Sequence, residues 1–80
     1  MRIVYLIRSI DCPKQTYIGV TSNFDDRLKK HNNGRSPHTS KYAPWQLVAA
    51  MQFANDHKAN AFERYLKSGS GRAFAKRHLW

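Results

Sequence analysis

The chain has 80 residues, with 14 Lys and Arg against 5 Asp and Glu, a formal charge of +9 and an isoelectric point near 10.2. Its 41% hydrophobic and 12% aromatic content excludes a disordered chain, and its length suits one domain, residues 1–80, with a small core. The excess of cations predicts a polyanionic partner, most often nucleic acid, with an anionic membrane surface as the alternative. No apolar run approaches the roughly 18 residues of a membrane-spanning helix, and no signal peptide is recognisable, so we expect a cytoplasmic protein.

The chain begins with a predicted β-hairpin. Ile3–Ser9 and Thr16–Thr21 are rich in β-branched and aromatic residues, which favours two strands. The residues between them, with Pro13 among them, are typical of a turn. Gly19, inside the second strand, indicates either a bend or the close approach of another group to the backbone.

A helix is predicted to follow the hairpin. Ser22 or Asn23 can cap its first turn, and Gly34 marks its end. Leu28 and His31 belong to the stripe that we expect to be buried, while the charged residues between them face water. This helix therefore places an imidazole near the predicted sheet.

The second half of the chain predicts a loop, a strand and two helices. Residues 35–44 are polar, basic and rich in turn residues, which indicates a loop. The apolar run in Trp45–Phe53 fits a strand or a buried helix, and we predict a strand because Pro44 precedes it. Helices are expected at Lys58–Lys67 and Arg72–His78, separated by a break at residues 68–71, with Phe74 inward. The order β-β-α-β-α-α predicts an α+β domain, a three-stranded sheet with helices packed on it.

Two tyrosines and two basic residues carry the first candidate chemistry. Arg27 and His31 are four residues apart and share one helical face, which can look toward Tyr17 if strand and helix pack together. A tyrosine can take the proton of an attacking water if nearby cations favour its phenolate. An arginine can bind phosphate oxygens, and a histidine can relay a proton or hydrogen-bond the phenol. The alternative is structural, with Tyr5 and Tyr17 as sheet packing, Arg27 on a solvated face and His31 as a satisfied half-buried ring.

Glu63 is the most informative acid, because the other acids have explanations in caps or turns. A carboxylate among so many cations can hold a divalent metal, since Mg²⁺ binds a few carboxylates together with water and phosphates. The alternative is an ion pair with Lys67, four residues later, and spacing alone favours it.

Loop residues supply further candidates. Lys41 and Tyr42 can hold a nucleic-acid backbone or stack on a base, or be solvated loop residues. Cys12 is the only cysteine, which excludes an internal disulfide and a cysteine-based zinc cluster, and we interpret it as a loop thiol. The remaining histidines have no metal-ligand spacing and are interpreted as surface residues: His38, His57 and His78.

Taken in order, these residues resemble the GIY-YIG nuclease domain in its small stand-alone form. The second signature is intact as Tyr17-Ile18-Gly19, whereas the first is partial, because Ile3-Val4-Tyr5 has isoleucine in place of glycine. The spacing between the signatures fits, and so does a following helix with Arg27 and His31, with Glu63 on a later helix. The likeness covers essentially the whole chain, including its glycine- and serine-containing ending.

The resemblance implies a three-stranded antiparallel sheet flanked by helices, and cleavage of DNA phosphodiester bonds with Mg²⁺ or Mn²⁺ and no covalent intermediate. By that likeness Tyr17 is the favoured general base and Tyr5 orients the water or phosphate, although the two roles can be exchanged. Arg27 stabilises the transition state, His31 assists the tyrosine, and Glu63 holds the metal. A late asparagine found in many members has no identified counterpart here.

We therefore expect a metal-dependent DNA endonuclease, with structure-selective cleavage in repair or recombination as the finer expectation. The alternative function is a non-catalytic module that binds DNA or RNA. The short chain also leads us to expect help from a partner protein or a homodimer. The expected nucleic-acid contacts are Lys41, Tyr42, Lys67 and Arg72.

Overall fold

A computed structural model describes residues 1–34 and 37–80, so that Arg35 and Ser36, the start of the predicted loop, lie outside the described residues. The described part contains an antiparallel sheet of three strands in the order β2-β1-β3, together with three α-helices. None of these helices is long and apolar enough to cross a bilayer. The predicted α+β fold is confirmed, with these elements: β1 (Arg2–Ser9), β2 (Thr16–Thr21), α1 (Phe24–Asn32), β3 (Trp45–Phe53), α2 (Asp56–Leu66) and α3 (Gly69–His78).

The central strand β1 separates two small cores. Successive side chains of a strand point to opposite faces. Val4 and Leu6 therefore belong to one core, and Tyr5 and Ile7 belong to the other, all four being fully buried. The first core is closed by residues of α2 and α3: Ala59, Leu66 and Ala75. The second core is closed by α1, the following segment and the start of β3: Phe24, Leu28, Tyr42, Ala43 and Trp45.

The register of β1 and β2 brings the two tyrosines to one face of the sheet. Tyr5 pairs with Gly19, and Ile7 pairs with Tyr17. A Cβ atom on Gly19 would lie 2.6 Å from Cζ of Tyr5, far inside van der Waals contact. Of the two interpretations of Gly19, the structure shows the close approach: the ring of Tyr5 lies against the glycine.

Asparagine side chains cap the first two helices. The Oδ1 atom of Asn23 accepts from the backbone N–H of Asp26 at 3.1 Å, which decides between the two predicted caps of α1. Asn55 caps α2, which therefore begins at Asp56 rather than at Lys58 as predicted. The carboxylate of Asp56 binds the N-terminal ammonium group at 3.1 Å.

Helix α3 differs from its prediction in two respects. Ser68 accepts from the N–H of Gly71 at 3.2 Å, so the expected chain break instead begins the helix three residues before the predicted start. Phe74 is 37% exposed, and the prediction that it points inward is wrong. The small residues Gly71 and Ala75 are buried instead, because α3 packs closely on the end of α2. A Cβ atom on Gly71 would collide with the carbonyl oxygen of Tyr65.

Candidate active site

A buried hydrogen-bond chain lies at the centre of the second core. The hydroxyl of Tyr5 is 2.9 Å from Nε2 of His31, and Nδ1 of His31 is 2.7 Å from Oγ1 of Thr39. The indole N–H of Trp45 in turn donates to the carbonyl oxygen of Thr39 at 2.8 Å. Each ring nitrogen of His31 thus has a hydroxyl partner, and the imidazole is held in one orientation.

Thr39 is the site residue that the sequence did not reveal. It lies in the segment predicted to be a solvated loop, just before a short 3₁₀ turn at Ser40–Tyr42, yet it is only 1% exposed. Nothing in its spacing from His31 distinguishes it from the other serines and threonines of the segment. Its role depends on the way this segment folds back over α1, which only the structure shows.

Tyr17 stands beside this chain at the edge of the sheet. Its ring centroid is 4.9 Å from that of His31 and 6.2 Å from that of Tyr5. Tyr5 is fully buried, whereas Tyr17 is half-buried on the edge strand β2. Of the two phenols, Tyr17 is therefore the one open to a ligand.

Burial disfavours the charged forms of both Tyr5 and His31. Burial raises the pKa of Tyr5, with a smaller contribution from Tyr17. The guanidinium of Arg27 lowers the pKa of Tyr5, and the carboxylate of Glu63 raises it. Burial also lowers the pKa of His31 below its ordinary value, and Arg27 adds to this effect. Arg27 and Glu63, far apart in the chain, therefore both act on the same tyrosine.

Glu63 makes the ion pair that its spacing predicts. Its Oε2 atom lies 2.6 Å from Nζ of Lys67, and its side chain is only 15% exposed. Lys67 is more open to solvent, with 51% of its side chain exposed. The carboxylate of Glu63 therefore pairs with one cation, and its charge also raises the pKa of Tyr5.

A groove of about 470 Å³ opens beside Tyr17, between the edge strand and the last two helices. Two of the predicted nucleic-acid contacts, Lys67 and Arg72, lie on its wall. The other two predicted contacts are not among its lining residues, since Lys41 is an exposed residue of the 3₁₀ turn and Tyr42 packs against the second core. The structure thus brings Lys67 and Arg72, and not Lys41, to the groove beside the open tyrosine.

Comparison with known proteins shows the family in which this arrangement of residues occurs. The profile of the GIY-YIG catalytic domain matches residues 1–77. The chain belongs to the GIY-YIG catalytic domain family. The predicted resemblance is confirmed, and so is the enzyme type, because GIY-YIG domains are nucleases that hydrolyse phosphodiester bonds.

Relatives of this GIY-YIG chain include proteins much longer than the matched part. A structure-specific endonuclease subunit SLX1 from Debaryomyces hansenii is 38% identical over 71 residues, which cover 80% of this chain and 20% of that protein. An SLX1 homolog from Giardia intestinalis is 42% identical over 43 residues, which cover 50% of this chain and 12% of that protein. A UPF0213 protein from Clostridium perfringens is 35% identical over 68 residues, which cover 84% of this chain and 71% of that protein. The chain therefore spans about a fifth or less of the two SLX1 relatives.

GIY-YIG nucleases generally depend on a divalent metal, and the residues present here fit one such ion. Within residues 1–34 and 37–80 no three His, Cys, Asp or Glu side chains gather in a way that could hold a metal ion by themselves. Glu63 is a single, mostly buried carboxylate beside the site. Mg²⁺ is commonly held by one or two carboxylates together with waters and substrate phosphates. A single carboxylate such as Glu63 is thus the kind of donor that would suit a divalent ion.

Proposed function

We propose that residues 1–80 form a single GIY-YIG nuclease domain that cleaves DNA phosphodiester bonds with the help of Mg²⁺ or Mn²⁺. One observation carries this proposal: Tyr5, Tyr17 and His31 contact one another, and Arg27 and Glu63 both act on the same tyrosine. A module that only binds nucleic acid needs cations at its surface. It has no use for a buried phenol and imidazole beside a carboxylate.

Tyr17 is the proposed general base. In its phenolate form the Tyr17 oxygen takes the proton of the attacking water, while the water oxygen bonds to phosphorus and the bond from phosphorus to the leaving sugar oxygen breaks. The leaving oxygen then takes a proton from the solvent. The exposure of Tyr17 to the groove supports this role. Tyr5 is less suited to it, because burial raises its pKa and keeps its hydroxyl protonated.

Tyr5 and His31 are proposed to orient the reacting groups. The hydroxyl of Tyr5 stays protonated and buried in its contact with His31, so Tyr5 acts on the reacting groups through the packing of its ring beside Tyr17. His31 keeps that hydroxyl in place, since it is bound on both ring nitrogens. We therefore propose that His31 assists by positioning Tyr5. The ring of His31 also packs beside Tyr17.

Charge stabilisation is assigned to Arg27 and Glu63. The guanidinium of Arg27 binds the phosphate oxygens, where negative charge grows in the transition state. Glu63 would hold a divalent ion, and such an ion would supply Lewis-acid polarisation of the phosphate. Lys67, the present partner of this carboxylate, lines the groove and is proposed to contact a phosphate of the DNA.

Structure-selective cleavage in repair or recombination, with a partner protein or a second copy of the chain, is the finer part of the proposal. The Debaryomyces relative is named as a structure-specific endonuclease and as a subunit. The strong positive charge of this chain supports binding to nucleic acid, since release of counterions from phosphates drives such association.

Cleavage of labelled DNA tests the proposed function. Branched, flapped and plain duplex DNA would be incubated with Mg²⁺, Mn²⁺ or EDTA, comparing the wild-type chain with Tyr17→Phe and Glu63→Gln. We expect metal-dependent nicking that falls by a factor of at least about 100 in both variants, the scale on which loss of a positioned catalytic proton acceptor acts. Asp26→Asn is the matched control, because Asp26 also pairs with a lysine four residues later but lies on the exposed face of α1.

A binding module would give the opposite pattern. No cleavage of any substrate in either metal, with salt-sensitive binding that Glu63→Gln leaves unchanged or improves, would overturn the nuclease proposal. Cleavage of RNA in preference to DNA would correct the substrate class and keep the reaction.

A further inference from the structure

Two residues that line the groove beside Tyr17, Arg72 and Trp80, have no role in the proposed mechanism. Trp80 lines the groove together with Arg72 and Lys67, while Leu66 and Ala75 form an apolar floor. The guanidinium of Arg8 lies over the Trp80 ring, 5.5 Å from its centroid. An aromatic ring, flanking cations and an apolar floor thus line one groove that begins at the proposed general base.

The charged side chains around the groove indicate which kind of ligand it binds. The acid next to it is Glu63, and its charge is offset by the ion pair with Lys67. Arg8 and Arg72 then leave the Trp80 end of the groove positive. Such a wall favours an anion, and the indole ring offers a flat apolar surface of the kind on which bases stack.

Shape decides between paired and unpaired nucleic acid. The groove has a volume of about 470 Å³ and is bounded on several sides by residues of β2, α2 and α3. That volume is in the range of sites for small ligands and does not suit a double helix, whose bases are already stacked on one another and hide their faces. A base can reach Trp80 only when it has no partner above or below it.

We propose that the groove holds an unpaired nucleotide of the DNA strand, with its base stacked on Trp80 and its phosphate bound by Arg72. Arg8 fixes the indole ring from the β1 side. The groove begins at Tyr17, so the bound nucleotide adjoins the bond to be cleaved, and the domain prefers DNA with an unpaired segment. The position of this nucleotide beside the cleaved bond rests on the proposed function, whereas its binding at Trp80 does not require the reaction.

Tryptophan fluorescence measures the binding directly. The chain has 2 tryptophans, and Trp45 is only 4% exposed, so a ligand that changes the emission reports mainly on Trp80. An oligothymidine of about eight nucleotides and a blunt duplex of equal length would be titrated in EDTA, where no cleavage takes place. We expect the oligothymidine to quench the emission and to bind more tightly than the duplex.

Variants locate that binding. Trp80→Leu is expected to lose the quenching and to weaken oligothymidine binding by a factor of about 5 to 150, the range that corresponds to loss of one stacked base. Trp80→Phe keeps an aromatic ring and is expected to bind within about threefold of the wild type. Arg72→Gln should lower the slope of log affinity against log salt by about 0.7, the contribution of one phosphate contact on a single strand. Arg77→Gln is the matched control, since this exposed arginine of α3 lines a different surface.

The outcomes separate this inference from the proposed function. Equal binding of the oligothymidine by folded Trp80→Leu and wild type, or equal effects of Arg72→Gln and Arg77→Gln, would overturn the inference. If Trp80→Leu does not fold, the comparison of Arg72→Gln with Arg77→Gln and the binding by Trp80→Phe still test the inference. Metal-dependent cleavage that shows no preference for unpaired DNA would overturn the groove assignment and leave the nuclease intact. Quenching that depends on Trp80, without cleavage under any condition, would do the reverse.

Discussion

The hydroxyl of Tyr5 and Nε2 of His31 lie 2.9 Å apart although the two residues are 26 positions apart in the chain. This hydrogen bond joins the central strand to the last turn of α1 in the interior of the protein. Thr39 and Gly19 contact the two partners of this hydrogen bond, and Glu63 raises the pKa of Tyr5.

Removal of the Thr39 hydroxyl should weaken both stability and catalysis. Thr39→Val keeps the shape and leaves Nδ1 of His31 without its partner, which costs about 1–3 kcal/mol in a buried site. For a domain of this size that corresponds to a fall in Tm of about 4–8 °C per kcal/mol. Thermal unfolding and the pH profile of cleavage measure the two effects.

Thr39→Ser is the matched control, because it restores the hydroxyl. We expect it to return most of the cleavage rate and to bring the pH profile back to that of the wild type. Equal rates and equal Tm values for Thr39→Val and the wild type would show that the contact to His31 has no role.

A methyl group at position 19 should disturb Tyr5. The Cβ atom of Gly19→Ala would lie 2.6 Å from Cζ of Tyr5, so the ring has to move away from the strand and its hydroxyl away from His31. Overpacking of this kind costs about 1–3 kcal/mol. Gly69→Ala serves as the control, because nothing lies within 4 Å of a Cβ atom there. A Gly19→Ala variant as stable and as active as Gly69→Ala would contradict the packing described here.

His31 should make stability fall in mild acid. The groups that face it are Tyr5, Tyr17 and Arg27, and burial followed by Arg27 lowers its pKa in the folded protein below the ordinary 6.5. As the pH falls below 6.5, the unfolded chain binds a proton that the native state does not, so the free energy of unfolding decreases until the pH reaches the lowered pKa. The decrease is about 1.4 kcal/mol per pH unit within that window.

Thermal unfolding between about pH 7 and about pH 5 checks this slope. His31→Gln should flatten the dependence of Tm on pH, whereas His38→Gln, which removes an exposed histidine, should leave it as in the wild type. Parallel curves for wild type and His31→Gln would mean that His31 does not cause the acid loss.

Loss of the lysine partner should make Glu63 easier for a metal ion to bind. Lys67→Ala removes the ammonium group that lies 2.6 Å from Oε2 of Glu63. Pairs of this spacing are worth about 0.3–0.5 kcal/mol on a helix, so the Mg²⁺ concentration for half-maximal cleavage should fall about twofold. Lys30→Ala, which breaks the similarly spaced pair with Asp26, should not change it. An unchanged or higher metal requirement in Lys67→Ala would contradict the idea that the ion pair competes with the metal for Glu63.

Much of the fold could be predicted because it is determined by local signals. The strand β3 was predicted with its observed bounds, since Pro44 and Asn55 mark its two sides. The helix α3 was predicted less well, because its small buried face is set by contact with α2 and not by its own hydrophobic pattern.

Only part of the candidate site could be predicted from the sequence. The order of Tyr5, Tyr17, Arg27, His31 and Glu63 in the sequence pointed to the family, which the domain match confirms. The contribution of Thr39, and the groove that Trp80 lines, could not be predicted, because each depends on the packing of segments distant in the chain.

The sequence by itself determined the class of fold, the positive charge and the family, because alternation of apolar residues, capping side chains and an ordered motif are all properties of the chain. Only the tertiary structure decided which tyrosine is buried and which is open. Tyr5 lies on the central strand, covered on both faces, whereas Tyr17 lies at the sheet edge, where a groove can form. A residue's depth depends on what packs over it, and two tyrosines in similar strands differ only in that.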